Sequence, residues 1–350
     1  MTKRRWTLTP STLATACAAL LLGLSTSCRV HQPAPVSART ATLDSTWAMS
    51  LLSALADDSM QGRGTATPGG DRAARLIADR MRAYGLVPAG DSGFFQRVPL
   101  SASTDPTGRR HLALVTSGET PEATVRAVNV VAMVRGADPA LRNQVVLIDA
   151  HYDHLGIGPA VNGDSIYNGA DDDGSGVVAV LGAARALAAG PPPRRTVLFL
   201  ATTGEELGLL GTRWYLEHPV VPLDRMVANL EIEMIGRPDS LAGGPGKGWL
   251  TGFERSTMGA TLAKAGIPIV ADPHPAQQFY LRSDNIAFAR RGIPAHTLSS
   301  YGMHRDYHTP ADEIGRIDGA HLATMVQAAA RAARLLADGD APTWNPGGRP

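Results

Sequence analysis

Two stretches, Gln144–Ala150 (QVVLIDA) and Thr196–Thr202 (TVLFLAT), constrain the fold of this chain more than any other part of it. Both are apolar almost throughout instead of alternating. A strand of that kind is buried on both faces, which requires a sheet with helices packed above and below it. Stretches with helical spacing alternate with further strand-like ones. In residues 70–84, for example, Ala73, Leu76, Ile77 and Met81 fall on one face, and Gly85 ends the helix. The pattern predicts strands over 111–117, 127–135, 144–150, 196–202, 227–234, 248–252 and 294–299. It predicts helices over 45–56, 70–84, 174–189, 206–218, 255–266, 283–291 and 318–337. Strand–helix alternation with such strands implies an α/β fold, a three-layer sandwich whose mostly parallel mixed sheet is covered by helices on both faces.

In open α/β sheets ligands bind at the carboxyl ends of the strands, so the residues following each predicted strand come next. QVVLIDA is followed by His151-Tyr-Asp153-His154, and TVLFLAT by Thr203-Gly-Glu205-Glu206. The strand at 227–234 runs into Glu231-Ile-Glu233-Met-Ile-Gly236. The last predicted strand leads to a loop with Tyr307-His308-Thr-Pro310. The segment Asn168–Gly176 (NGADDDGSG) places three consecutive carboxylates before the helix that follows the His151 loop. Like charges at this density repel, and burying them unpaired is costly. Divalent cations would neutralise them. Histidine nitrogen with carboxylate oxygen suits zinc, and two cations about 3.5–4 Å apart need one ligand that bridges them.

The segments AHYDHLG, NGADDDGSG, TGEELGLLG, EMIGRP, SDN…GIP and YHTPADE occur in this order over residues 45–337. In this the chain resembles the co-catalytic zinc aminopeptidases of metallopeptidase family twenty-eight, which are related to glutamate carboxypeptidase II and similar in fold to glutaminyl cyclases. The resemblance implies two zinc ions per chain in a zinc exopeptidase-like domain spanning 45–340. His151 and Glu233 would hold the first ion and Glu206 and His308 the second, with Asp171 bridging them. Asp153 would orient His151, and Glu205 would be the general base. Glu233 stands where the family usually has aspartate, one methylene shorter. The resemblance also implies a cis peptide bond after the bridging residue, between Asp171 and Asp172. Asp172, Asp284 and Tyr307 are expected to support the site from outside the metal ligands or to touch substrate. Gly62-Arg63-Gly64 is expected to serve structure, His154, His296 and His304 to be structural or exposed, and Glu231 to be a solvated or ion-paired neighbour.

The N-terminus carries a different signal. Lys3, Arg4 and Arg5 precede an apolar core, Ala18–Leu24, and Ser25-Thr-Ser-Cys28 follows. This reads as a lipoprotein-type signal peptide over 1–27, with Cys28 as the lipidation point. Leu24 stands one place before the usual lipobox leucine position, which Ser25 takes. The apolar stretch is too short to span a bilayer. Export to the periplasm or to a membrane surface through a lipid anchor is the expectation, with residues 28–44 as a flexible tether and 341–350 as a loose tail. The only other cysteine, Cys17, lies in the leader, so a processed chain has no internal disulfide. Loss of the leader leaves 30 basic against 32 acidic residues. With no basic run, this argues against nucleic acid as a partner.

Peptides are the expected substrates. The rival functions compatible with these motifs are a glutaminyl cyclase, a carboxypeptidase for acidic C-terminal residues and a receptor-like relative without catalysis.

Overall fold

In the computed structural model, which describes residues 42–106, 110–115 and 123–350, QVVLIDA and TVLFLAT become adjacent parallel strands at the centre of one large sheet. The strands are β1 (Val87–Pro88), β2 (Phe95–Thr104), β3 (Arg110–Leu114), β4 (Ala123–Val134), β5 (Val145–His151), β6 (Gly156–Val161), β7 (Asp164–Tyr167), β8 (Thr196–Thr202), β9 (Met226–Ile232), β10 (Gly248–Leu250), β11 (Ile269–Ala271) and β12 (Ala295–Ser299). The α-helices are α1 (Ser45–Leu55), α2 (Pro68–Ala83), α3 (Gly176–Ala189), α4 (Leu210–Glu217), α5 (Thr257–Lys264), α6 (Asn285–Arg290) and α7 (Gly319–Asp338).

The sheet runs β11-β10-β12-β9-β5-β8-β4-β2-β3, with β1 paired to β4 and β6-β7 as a separate hairpin. Its centre is parallel: β12 with β9, β9 with β5, and β5 with β8. The β4, β2 and β3 side is antiparallel. Alternate residues of the central strands feed two cores. Val146, Ile148, Val197 and Phe199 pack with α1, α2, α3 and α7. Val145, Leu147, Leu198 and Leu200 pack with α4 and α6. Burial on both sides is why these strands carry no polar face.

Local chemistry sets the helix ends. Asp44 accepts from Trp47 N at 2.8 Å to start α1, and Asp318 accepts from Ala320 N and His321 N to start α7. The expected helix at 206–218 begins only at Leu210. Gly204, Gly208 and Leu209 all have positive φ, so residues 203–209 form turns that carry Glu205 and Glu206 outside the helix.

The loose tail is corrected. Trp344 bridges to Ser256, its indole N–H donates to Gly292 O at 2.9 Å, and Asn345 bonds to Arg255 O. The leader, the site at Cys28 and most of the tether lie outside the described residues. Among the described residues no helix is long and apolar enough to cross a membrane.

Candidate metal centre

Three parallel strands deliver the site. β5 ends in His151, β8 leads into Glu205 and Glu206, and β9 leads into Glu233. Because β5 lies between β8 and β9, these carboxyl ends are neighbours. The loop after β12 brings His308 across the top, and the turn Ala170–Ser175 ahead of α3 brings the aspartate triplet.

The three aspartates diverge. Asp172 faces the histidines: its Oδ1 lies 3.3 Å from His151 Nε2, and its Oδ2 lies 3.1 Å from His308 Nε2. Asp171 points elsewhere. Its Oδ1 accepts from Gly236 N at 2.7 Å and from Ser175 Oγ at 3.2 Å, and its Oδ2 lies 3.0 Å from His304 Nε2. Asp173 accepts from Gly176 N and Met234 N, both at 3.0 Å, so it starts α3 and fixes the chain beside Glu233. The central carboxylate is therefore Asp172, which corrects the expectation for Asp171. The backbone turns sharply at Asp172 and Asp173, which sends neighbouring side chains in different directions. The cis peptide bond likewise lies between Asp172 and Asp173, not between Asp171 and Asp172.

Two donor groups share Asp172. His151, Asp172 and Glu233 place their donor atoms within 4.8 Å of one another. On the other side, His308 Nε2 lies 3.1 Å from both Asp172 Oδ2 and Glu206 Oε2. Two donors on one tetrahedral zinc, each about 2.0–2.1 Å from it, stand roughly 3.3 Å apart, so these spacings suit a cation. Among the described residues the buried atoms His151 Nε2, Asp172 Oδ2 and His308 Nε2 have no hydrogen-bond partner, the arrangement expected where a cation is the missing partner. His151 is aimed by its other nitrogen, with Nδ1 3.1 Å from the Asp153 backbone carbonyl. The Asp153 carboxylate is farther, 3.9 Å away, and accepts instead from Thr65 Oγ1 and Glu205 N.

Electrostatics match this placement. Burial, then Glu231, pushes Glu233 up to about 8. Burial also pushes Glu205 well above the usual carboxylate range, although His151 opposes it. Burial works against a charge on His308, but the Asp172 and Glu206 carboxylates, each 3.1 Å from its Nε2, outweigh that and raise it to about 10.

Several further residues frame the site, of which Asp312 had no role assigned from sequence. The Arg63 guanidinium is fully buried and donates to the carbonyls of Tyr152, Leu55, Asn168 and Gly169. This bears out a structural role for the Gly62-Arg63-Gly64 loop. Asp312 accepts from Asp171 N and Asp172 N. Glu231 is not solvated: it is fully buried and accepts from Ser283 Oγ, Asp284 N, Asn285 N and Thr297 Oγ1. Asp284 sits behind the site and accepts from Thr202 Oγ1 at 2.6 Å. Burial and then Glu231 push it up to about 7. Tyr307 stacks on His308 with ring centroids 3.8 Å apart. A cleft opens from Asp172, Glu205, Glu206, Glu233 and His308 between Met234, Trp249, Phe279, Tyr301 and Tyr307, with Arg282 also on its wall.

A mixed sheet between helix layers, with histidine and carboxylate donors converging at its parallel carboxyl ends, defines the class as metallopeptidase-like. The chain belongs to peptidase family M28, whose family model matches residues 129–333. Among curated proteins it is 34% identical over 172 residues to a probable leucine aminopeptidase 2 of Aspergillus oryzae, covering 48% of this chain and 32% of that one. It is 28% identical over 253 residues to leucine aminopeptidase 2 of Trichophyton rubrum, covering 67% of this chain and 47% of that one. The chain thus spans less than half the length of these relatives. Among solved structures, an aminopeptidase from Aneurinibacillus sp. strain AM-1 matches with a TM-score of 0.62 at 15% identity, over 86% of this chain and 96% of that one. The glutaminyl cyclase of Porphyromonas gingivalis matches with a TM-score of 0.59 at 17% identity, over 83% and 98%. At such identities the likeness is one of fold.

Proposed function

We propose that this chain is an exported aminopeptidase that hydrolyses N-terminal residues from peptides, using two zinc ions. The observation that carries this reading is the pair of donor groups meeting at Asp172 with Glu205 beside them. His151 and Glu233 would hold one ion and Glu206 and His308 the other, with Asp172 the carboxylate available to both. When bound, the ions polarise the scissile carbonyl and make water acidic enough to be deprotonated near neutral pH.

The residues of the chain do the rest. Glu205 lies 4.0 Å from His151 Nε2 and lines the cleft, which places it to take a proton from water and return it to the leaving amine. Its raised affinity for protons suits both steps. Asp153 holds Glu205 through the backbone N–H of that residue at 3.2 Å, and its own carbonyl aims His151. Trp249, Phe279, Tyr301 and Tyr307 exclude water from the opposite wall. Asp172, Glu205, Glu206 and Glu233 make the inner part of the cleft acidic, so a substrate carboxylate would meet like charges there. An N-terminal amine suits it better.

A second reading rests on Arg282. Its guanidinium lies 5.0 Å from the Phe279 ring centroid on the cleft wall, and no ion pair holds it among the described residues. That favours substrates bearing a carboxylate, including acidic C-terminal residues. The Cys28 lipid anchor, and with it a periplasmic or membrane-attached location, is proposed from the leader sequence alone.

The test joins metal content to turnover on one sample. Two zincs per chain with cleavage of Leu- or Ala-arylamides supports the aminopeptidase. Release of a C-terminal Glu alone, from a peptide blocked at its N-terminus, selects the second reading. Cyclisation of an N-terminal Gln peptide with a single zinc overturns both.

A further inference from the structure

His154 is a third histidine at this centre, and the chemistry above does not use it. Its side chain is fully buried, and its Nδ1 lies 2.7 Å from Glu206 Oε1. The other oxygen of the same carboxylate, Oε2, lies 3.1 Å from His308 Nε2. The two oxygens of Glu206 are thus divided between two histidines. A spacing of 2.7 Å is shorter than the roughly 3.3 Å that separates two donors on one tetrahedral zinc. It is the length of an N–H donating to a carboxylate. His154 Nε2 has no hydrogen-bond partner, and the Nδ1 contact with Asp172 Oδ2 is longer, at 3.8 Å. Among the described residues, the only hydrogen bond the ring makes is therefore to Glu206.

The ring is also held from behind. Gly169 has φ +56, and a Cβ there would come within 2.6 Å of His154 Cγ and Cδ2. On another side the ring meets His308 edge-on, with centroids 5.6 Å apart and planes at 69°.

We infer that His154 is a positioning residue: it ties down Glu206 Oε1 so that Oε2 alone faces the locus shared with Asp172 and His308. The inference rests on the two-metal reading above. It makes the two cation sites unequal, because a fixed histidine behind its glutamate supports only the His308 side. Outer partners of this kind typically change metal affinity by roughly 10–100-fold.

The experiment uses the full chain, stripped of metal and titrated with Zn2+ against a chromophoric chelator. In His154→Ala one of two affinities should weaken by roughly 10–100-fold while the other stays at its wild-type value. His308→Ala should abolish binding of that same ion. His154→Asn, whose amide N–H reaches the Nδ1 position, should recover most of the affinity, whereas His154→Gln, which reaches the Nε2 position, should not. This pair decides the matter if the alanine variant fails to fold. Unchanged affinities in His154→Ala, equal weakening at both sites, or Asn and Gln behaving alike would overturn the inference. A wild-type chain that binds no zinc would remove the metal-centre reading itself, and the inference with it.

Discussion

Exchanging one aspartate at a time in the triplet separates the carboxylate that serves the cations from those that serve the backbone. In Asp172→Asn, a neutral amide replaces the charge facing both His151 Nε2 at 3.3 Å and His308 Nε2 at 3.1 Å. One of its two donor oxygens becomes an NH2 that cannot ligate, so at least one cation should be lost and the other weakened. Cation binding at 1,000 times the dissociation constant stabilises a fold by about 4 kcal/mol, and the loaded variant should forfeit an amount of that order. Asp171→Asn is different. It weakens the acceptor for Gly236 N and Ser175 Oγ and disturbs the His304 contact. Hydrogen bonds to a charged group contribute about 1.5–3 kcal/mol, or roughly 2–5 °C in a chain of this size. Its metal count should stay at the wild-type value. The assay is metal analysis by plasma emission alongside thermal melts of the loaded and stripped proteins. In Asp172→Asn the gap between the two melts should nearly close, and in Asp171→Asn it should persist with both melts lowered. Metal loss in Asp171→Asn with retention in Asp172→Asn would refute the assignment.

Three further outcomes are expected. Glu205→Gln should lower kcat by about 10²–10⁴-fold with metal content unchanged; near-wild-type turnover in a steady-state assay would remove Glu205 as the base. Gly169→Ala places a Cβ within 2.2 Å of the Asp172 carbonyl at a positive φ, so the triplet turn must shift, and zinc stoichiometry should fall while far-UV circular dichroism stays native. The stripped protein should lose stability as pH rises. Glu233, raised to about 8, favours the folded state only while protonated, so its contribution fades between the ordinary glutamate range and pH 8; His308, raised to about 10, contributes fully below its unfolded value and fades as pH approaches 10. Melts of the metal-free chain from pH 6 to 9.5 that are flat or rising would contradict both shifts.

The strands were legible because burial on both faces leaves an unmistakable apolar run: β5 and β8 differ from expectation by one residue at most. The site was legible as a set of strand ends, which is why Glu205, Glu206, Glu233, His151 and His308 all arrive at one place. Its internal assignment was not. Asp171, Asp172 and Asp173 are chemically identical, and only the turn of the chain between them decides which faces the histidines. His151, at the end of β5, and His154, three residues on, are likewise the same residue type, and only the His154 ring's place against Gly169 and Glu206 tells them apart. β2 carries Pro99 and several small polar residues, so its strand character comes from pairing with β3 and β4 and not from its own pattern. The β6-β7 hairpin did have a local signal in Asn162-Gly163, both with positive φ, which is the chemistry of a tight turn.

Arg63 carries a consequence for the order in which the molecule matures. Its guanidinium joins Leu55, Tyr152 and Asn168–Gly169, partners up to 106 positions away, and Asp312 closes the same turn from 141 positions downstream. Asp172, the carboxylate shared by the two donor groups, is therefore set only after the beginning and the end of the domain have met. A nascent or partly threaded chain presents histidines and acids but not their arrangement. On the metal-centre reading proposed above, zinc capture would report that folding is complete.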